Sequence, residues 1–338
     1  MHGGIHFPLG QVASPSLKAH LVPTTLNCET VTNTCAFRGV YLTGHQIPSS
    51  GLGPSRRVHL FMLAGCTLLL GAAIAGYWIT SGSGWQTMSA AVAAVLPVSL
   101  LPAILRHDRR EYEKRNAALA LPWTLILVAL IPPLAVLSAQ LRFPLRDALF
   151  VRLDQSIGFS VPGVVHWTIT HGPAQSFSDS SYSLLYVLLP LAMLVPPIVG
   201  NRKAAEQFVL ANTIAVLISF PVFTLYPAIG PWAGYHFSGN EAQKACQAAI
   251  LALHGGDRHA AVMGIVCFPS FHVIWAVLAG WSLWSIKPLR IVGAVLALLV
   301  VVSTVTTGWH YVCDVLAGFL VVAISLACAR VVMTKSNP

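Results

Sequence analysis

Apolar residues fall in long unbroken runs along this chain, not in alternation and not on one helical face. Eight runs approach the ~20 residues that carry a helix across a bilayer. They cover 58–80, 86–105, 119–139, 181–199, 205–226, 271–286, 289–307 and 311–333. The sixth is the shortest, and Lys287–Pro288 marks a tight turn before the seventh. Two long polar-rich segments, about 140–180 and about 227–270, fall on one side of an eight-span topology. In the first, Leu149, Phe150, Leu153 and Ile157 recur at helical spacing and predict a helix lying on the membrane. In the second, Asn240 and Gln243 predict a helix start, and Gly255–Gly256 its stop. Residues 1–57 are rich in Gly, Pro, Ser and Thr and lack the layout of a secretory signal. They read as a disordered tail without assigned function.

Composition strengthens this picture. The 338 residues are 55% hydrophobic and only 9% charged, with mean hydropathy +0.70. A soluble domain carries about a quarter charged residues. The expected fold class is all-α, a polytopic membrane protein of about eight transmembrane helices. The net charge of +9 does not point to nucleic acid, because membrane proteins collect basic residues in cytoplasmic loops. Of the 20 Lys and Arg, 15 fall on the side that holds both termini, most densely in "RHDRREYEKR" at 106–115. Both termini are therefore expected in the cytoplasm of a cell membrane, with 140–180 and 227–270 outside.

Three motifs come to that outer face. "LYPAIGPW" (225–232) ends the fifth run, "CFPSFH" (267–272) opens the sixth, and "STVTTGWHYVCD" (303–314) joins the seventh to the eighth. His272 and His310 are 38 residues apart, yet two helices between them return the chain to the same surface. Ionisable residues at membrane depth are costly and usually functional. Asp314 lies four residues after His310, on the same helical face. A carboxylate there fixes one imidazole nitrogen and frees the other as nucleophile or base. Helix N-termini beside both histidines favour an anion. Together these features predict phosphoryl transfer, one histidine attacking phosphorus and the other protonating the leaving oxygen.

The pattern P-S-x-H followed by H-x-x-x-D, each opening a membrane helix, resembles the type 2 phosphatidic acid phosphatase superfamily. "YPAIGPW", "FPSFH" and "GWHYVCDVLAG" look most like its inositol phosphorylceramide synthase branch of inositolphosphotransferases. The resemblance covers about 119–333, a six-helix catalytic core. It leaves 58–118 as two additional helices with a basic cytoplasmic loop. It implies His310 as the nucleophile that forms a phosphohistidine, Asp314 as its orienter and His272 as the general acid. Ser270 and nearby backbone N–H groups would bind phosphoryl oxygens. It also implies a lipid substrate, a lipid or other alcohol acceptor, no cofactor and no metal.

The chain departs from the phosphatase pattern at three places. "YPAIGPW" lacks the K-x6-R-P cations, Phe271 replaces a glycine between Ser and His, and Thr304 stands where an arginine is usual. Fewer cations suit a diester monoanion better than a monoester dianion. Head-group transfer is thus expected ahead of hydrolysis of a lipid phosphate or polyprenyl pyrophosphate. Arg258, His259 and Lys244 are the outer-loop residues able to restore charge. A transporter on the same fold would need charges along successive spans, and their centres carry almost none. "HGGDRH" (254–259) reads as a solvated loop ahead of a metal site. Trp232, Trp275 and Trp309 fit an interfacial belt as well as a substrate stack. Cys246 and Cys267 both fall in the outer segment, where a disulfide is open.

Overall fold

The computed structural model describes residues 60–62, 64–65, 68, 120–257 and 267–334. All regular elements among them are helices. Residues 1–59, most of the first two predicted spans, the 106–115 cluster, Arg258 and His259 lie outside the described residues.

Ten helices carry the argument. They are α1 Ala120–Gln140, α2 Asp147–Ser156, α3 Val161–Thr170, α4 Gly172–Ser183 and α5 Leu185–Ile198; then α6 Arg202–Leu225, α7 Glu241–Gly255, α8 Phe271–Trp284, α9 Arg290–Thr306 and α10 Val312–Thr334. Five stretches are long and apolar enough to cross a membrane: Trp123–Gln140, Gly172–Ile198, Arg202–Leu225, Lys287–Thr306 and Val312–Thr334. With the shorter α8 they make up the six predicted core spans. The chain is an all-α polytopic membrane protein. The fourth span starts earlier than its hydropathy predicted. It runs through the polar "GPAQSFSDSSYS" of α4 before the apolar α5 begins.

Helix α8 sits at the centre, packed against α5, α6, α9 and α10. Small residues permit this. A Cβ added at Gly280 would lie 3.0 Å from Ala297 Cβ, and one at Gly293 would lie 2.9 Å from Leu283 Cβ. One at Gly318 of α10 would lie 3.0 Å from Val273 and 3.2 Å from the Ser270 carbonyl. Close helix approach at small residues substitutes for the hydrophobic drive that lipid removes. Phe271, Val273, Ile274 and Leu278 of α8 join Phe208, Leu210 and Val300 in one buried core.

One end of the bundle is basic. The α5–α6 and α8–α9 connections meet there, where the Asn201 amide donates to Ser285 Oγ at 2.9 Å. Arg202, Lys203, Lys287 and Arg290 cluster at these connections, and Arg290 lies over the Trp284 ring. The motifs of interest occupy the other end. At 14 residues, α8 rises about 21 Å, short of the ~30 Å hydrocarbon thickness.

Two predicted local signals appear as read. Asn240 and Gln243 form a reciprocal capping box at the start of α7, and Gly256 ends it in a left-handed conformation (φ 100°). The helix predicted around Leu149–Ile157 forms as α2, with Phe150 buried while Leu153 and Ile157 face outward.

Candidate active site

The α9–α10 junction places His310. Gly308 adopts φ 75° and stops α9; that region is open to glycine at little cost. The Thr304 carbonyl then accepts from the N–H groups of both Trp309 (3.1 Å) and His310 (3.0 Å). The α8 N-terminus is docked beside it, with the Ser270 N–H donating to the Asp314 carbonyl at 3.3 Å.

His310 is buried, and its Nδ1 lies 3.0 Å from the Cys267 carbonyl. Asp314 Oδ2 is 3.4 Å from the same nitrogen. A carbonyl can only accept, so Nδ1 carries the proton and Nε2 keeps its lone pair. The carboxylate was expected to orient the ring by itself. The shorter contact is instead to the backbone carbonyl. Asp314 acts on the ring partly through the loop, since Oδ2 also accepts from the Cys267 thiol (3.0 Å) and the Tyr311 N–H (2.9 Å). Burial pushes the His310 imidazole down from 6.5 to about 4, against the Cys267 carbonyl bond, which raises it. The ring is therefore neutral at physiological pH. Burial, reinforced by Asp314, raises the Cys267 thiol, which stays protonated and donates.

His272, one residue into α8, faces His310 with ring centroids 5.8 Å apart. Its other neighbour is Tyr182 of α4. The Tyr182 hydroxyl is 3.2 Å from His272 Nδ1, and the rings stack at 4.2 Å. Tyr182 also stacks on Trp309 at 6.0 Å, and Trp309 meets Trp232 edge-on at 5.4 Å. Sequence reasoning passed over Tyr182. The signal available was a polar stretch directly ahead of an apolar span, which a hydropathy scan reads as loop.

The remaining predicted residues are placed as follows. Ser270 is fully buried and caps α8, its Oγ accepting from the Val273 N–H at 3.3 Å. Phe271 packs into the core with its ring edge-on to Trp275. Of these two residues, only the Phe271 N–H and the Ser270 hydroxyl proton are left to offer an anion. The Thr304 hydroxyl donates to the Val301 carbonyl within its own helix. Lys244 pairs with Glu241 on the exposed face of α7. Among the described residues, no Lys or Arg appears in the hydrogen bonds or ion pairs of either histidine. Trp232 is buried against Ile229, Cys246 and Ile250, not set in an exposed belt.

The disulfide left open by the sequence does not form. Cys246 packs with Ile229, Trp232 and Ile250, while Cys267 belongs to a separate cluster with Phe150, Ala228 and Tyr311. Its thiol is turned to Asp314 instead.

Two further carboxylates from α2 brace the site, and the sequence did not single them out. Asp154 is fully buried and accepts from the N–H groups of Val312 (3.0 Å) and Cys313 (2.9 Å), so it caps α10 from another helix. Asp147 accepts from the Ile229 and Gly230 N–H groups and from the Tyr311 hydroxyl. This holds "YPAIGPW" against the loop bearing His310. Cys267, His310 and Asp314 also present one donor atom each within 4.8 Å of one another, a set able to hold a metal ion.

Comparison with known proteins follows the same lines. The PAP2 superfamily matches over residues 148–328, more than half of the chain, a span that includes both histidines, Asp314 and the bracing Asp154. No curated protein matches, and no solved structure matches.

Proposed function

The chain belongs to the PAP2 superfamily, and on that premise we propose that it transfers a phospho-head group between membrane lipids through a phosphohistidine at His310. The superfamily acts as phosphatases and phosphotransferases on phosphate-containing lipids. The observation that carries the finer reading is the His310–His272 pair, 5.8 Å apart, with Nδ1 of His310 already engaged.

In the first step the Nε2 lone pair of His310 attacks phosphorus. The P–O bond to the lipid alcohol breaks, and His272 gives that oxygen its proton. In the second, the acceptor hydroxyl passes its proton to His272 and attacks the phosphohistidine. The N–P bond breaks and the His310 lone pair is restored. Backbone N–H groups at the α8 N-terminus face the developing charge. The scarcity of cations at the pair favours a diester, whose single charge needs less compensation. An inositol-phosphate donor fits this reading.

The basic end of the bundle is assigned to the cytoplasm and the histidine end to the outer side. The test is purified protein given head-group-labelled phosphatidylinositol, with and without ceramide or diacylglycerol. Label moving onto the acceptor lipid supports transfer. Release of the labelled phospho-alcohol at the same rate with and without acceptor overturns it in favour of hydrolysis.

A further inference from the structure

The cluster at the nucleophile adds to His310 and Asp314 a third donor, the Cys267 thiol, that the transfer reaction does not use. Cys267 Sγ lies 3.0 Å and His310 Nδ1 3.4 Å from Asp314 Oδ2, and all three residues are buried. The second carboxylate oxygen, Asp314 Oδ1, is buried with no hydrogen-bond partner. Cysteine, histidine and aspartate are zinc ligands. Bonds of about 2.0–2.3 Å place such ligand atoms roughly 3.2–3.8 Å apart in a tetrahedron. Drawing the cluster, whose donor atoms lie within 4.8 Å of one another, onto one ion therefore contracts its widest pair by no more than about 1.6 Å and widens the Cys267–Asp314 pair slightly. A thiolate and a carboxylate would also neutralise a divalent ion, as a buried site requires.

A cleft lies beside the cluster. It is small and bordered by α1, α6 and α7, with Cys267 and Phe268 in its wall, and neither histidine of the catalytic pair lines it. His254 also lines it, with its Nε2 buried and unpartnered. The cleft thus touches Cys267 from a side separate from the two-histidine face.

We propose that Cys267, His310 and Asp314 form a binding site for zinc or a similar thiophilic divalent cation, and that its occupancy switches the enzyme off. Binding releases the Cys267 thiol proton to solvent. His310 gives up the Nδ1 proton and its bond to the Cys267 carbonyl, and its Nδ1 lone pair goes to the ion. The proton passes to Nε2, whose lone pair is then unavailable to phosphorus. Binding rests on the geometry alone. The switch rests on His310 being the nucleophile.

The test uses the full chain in detergent. Cobalt(II) as a spectroscopic stand-in should give one equivalent of bound metal with a sulfur-to-cobalt charge-transfer band, lost in Cys267→Ser. X-ray absorption of the zinc-loaded wild type, which needs no variant, should show one sulfur at about 2.3 Å with nitrogen or oxygen ligands. Zinc should suppress lipid turnover, a chelator should restore it, and Cys267→Ser should raise the half-inhibiting concentration at least tenfold. Absence of the cobalt band, its survival in Cys267→Ser, or a zinc shell without sulfur overturns the site. Metal bound through Cys267 without loss of turnover overturns the switch. The spectroscopic arms need no substrate, so their failure is distinct from failure of the transferase reading.

Discussion

His310 is held by two acceptors of different kinds, a backbone carbonyl at 3.0 Å and a carboxylate at 3.4 Å. This division predicts how single substitutions behave. Asp314→Asn leaves the carbonyl contact but removes the charge that supports an imidazolium and leaves a weaker, neutral acceptor for Cys267 and Tyr311. It should lower kcat by about 10²–10⁴-fold, with the protein still folded by circular dichroism. Tyr182→Phe keeps the stack on His272 and deletes only the hydroxyl contact. One such hydrogen bond is worth about 0.5–1.5 kcal/mol, so a fall of roughly 2–10-fold in kcat is expected, with a shifted basic limb of the pH profile. Tyr182→Leu should cost more, because the ring contact goes too. An equal effect of Phe and Leu would assign Tyr182 to packing alone. Because the His310 imidazole is pushed down to about 4, its lone pair is available above that pH. The acidic limb of kcat/KM due to this residue should lie near 4, well below the ordinary 6.5, and activity should fall as pH drops through it. At this scale the sequence was informative about identity and less so about partners. His272, His310 and Asp314 follow from spacing. The Cys267 carbonyl does not, because a backbone group carries no residue signature.

At the scale of elements, the site is an assembly of helix ends. The capping box of α7 and its glycine stop were legible because their chemistry is local. The bracing of α10 by Asp154 was not, because the carboxylate and the N–H groups it accepts from are 158 and 159 residues apart. Nothing in "VRLDQS" separates such a cap from a solvated acid. Asp154→Asn weakens that cap, and Asp154→Ala removes it. Cap losses cost about 0.5–2 kcal/mol, and a fully buried one belongs at the upper end. Thermal unfolding in detergent should show Ala below Asn below wild type. Gly318 tests the docking of α10 on α8. Gly318→Val places carbon where Val273 and the Ser270 carbonyl already stand. Overpacking of this kind costs about 1–3 kcal/mol, and here it also pushes Asp314 away from Ser270. Activity should fall further than stability does. An active Gly318→Val enzyme would show that this contact does not set the site.

For the whole molecule, the six-helix core was readable because apolar runs of spanning length are a strong signal. The fourth span was misread at its start. Serines and an aspartate in α4 lower its hydropathy, yet α4 and α5 together form one 27-residue stretch. Of those polar residues only Ser178 and Ser181 turn inward, Ser178 accepting from Thr306 at 3.1 Å. The place of Tyr182 eleven residues into that span agrees with a site below the membrane surface. A lipid phosphate could meet it there without leaving the bilayer. Sidedness is open to a direct check. A single cysteine at Ser238, in the loop before α7, should react with a membrane-impermeant thiol reagent added outside intact cells, and one at Asn201 should not. The reverse pattern would place the histidines in the cytoplasm.

The most direct test of the central claim is a phosphoenzyme trapped by denaturing quench at alkaline pH. Wild-type protein mixed briefly with donor lipid labelled at phosphorus should retain label in an acid-labile, base-stable linkage, mapped by proteolysis to the peptide holding His310. His310→Ala should retain none, and His272→Ala should accumulate less or turn over more slowly. Label that persists in His310→Ala, or transfer of head group by that variant at the wild-type rate, would contradict the account.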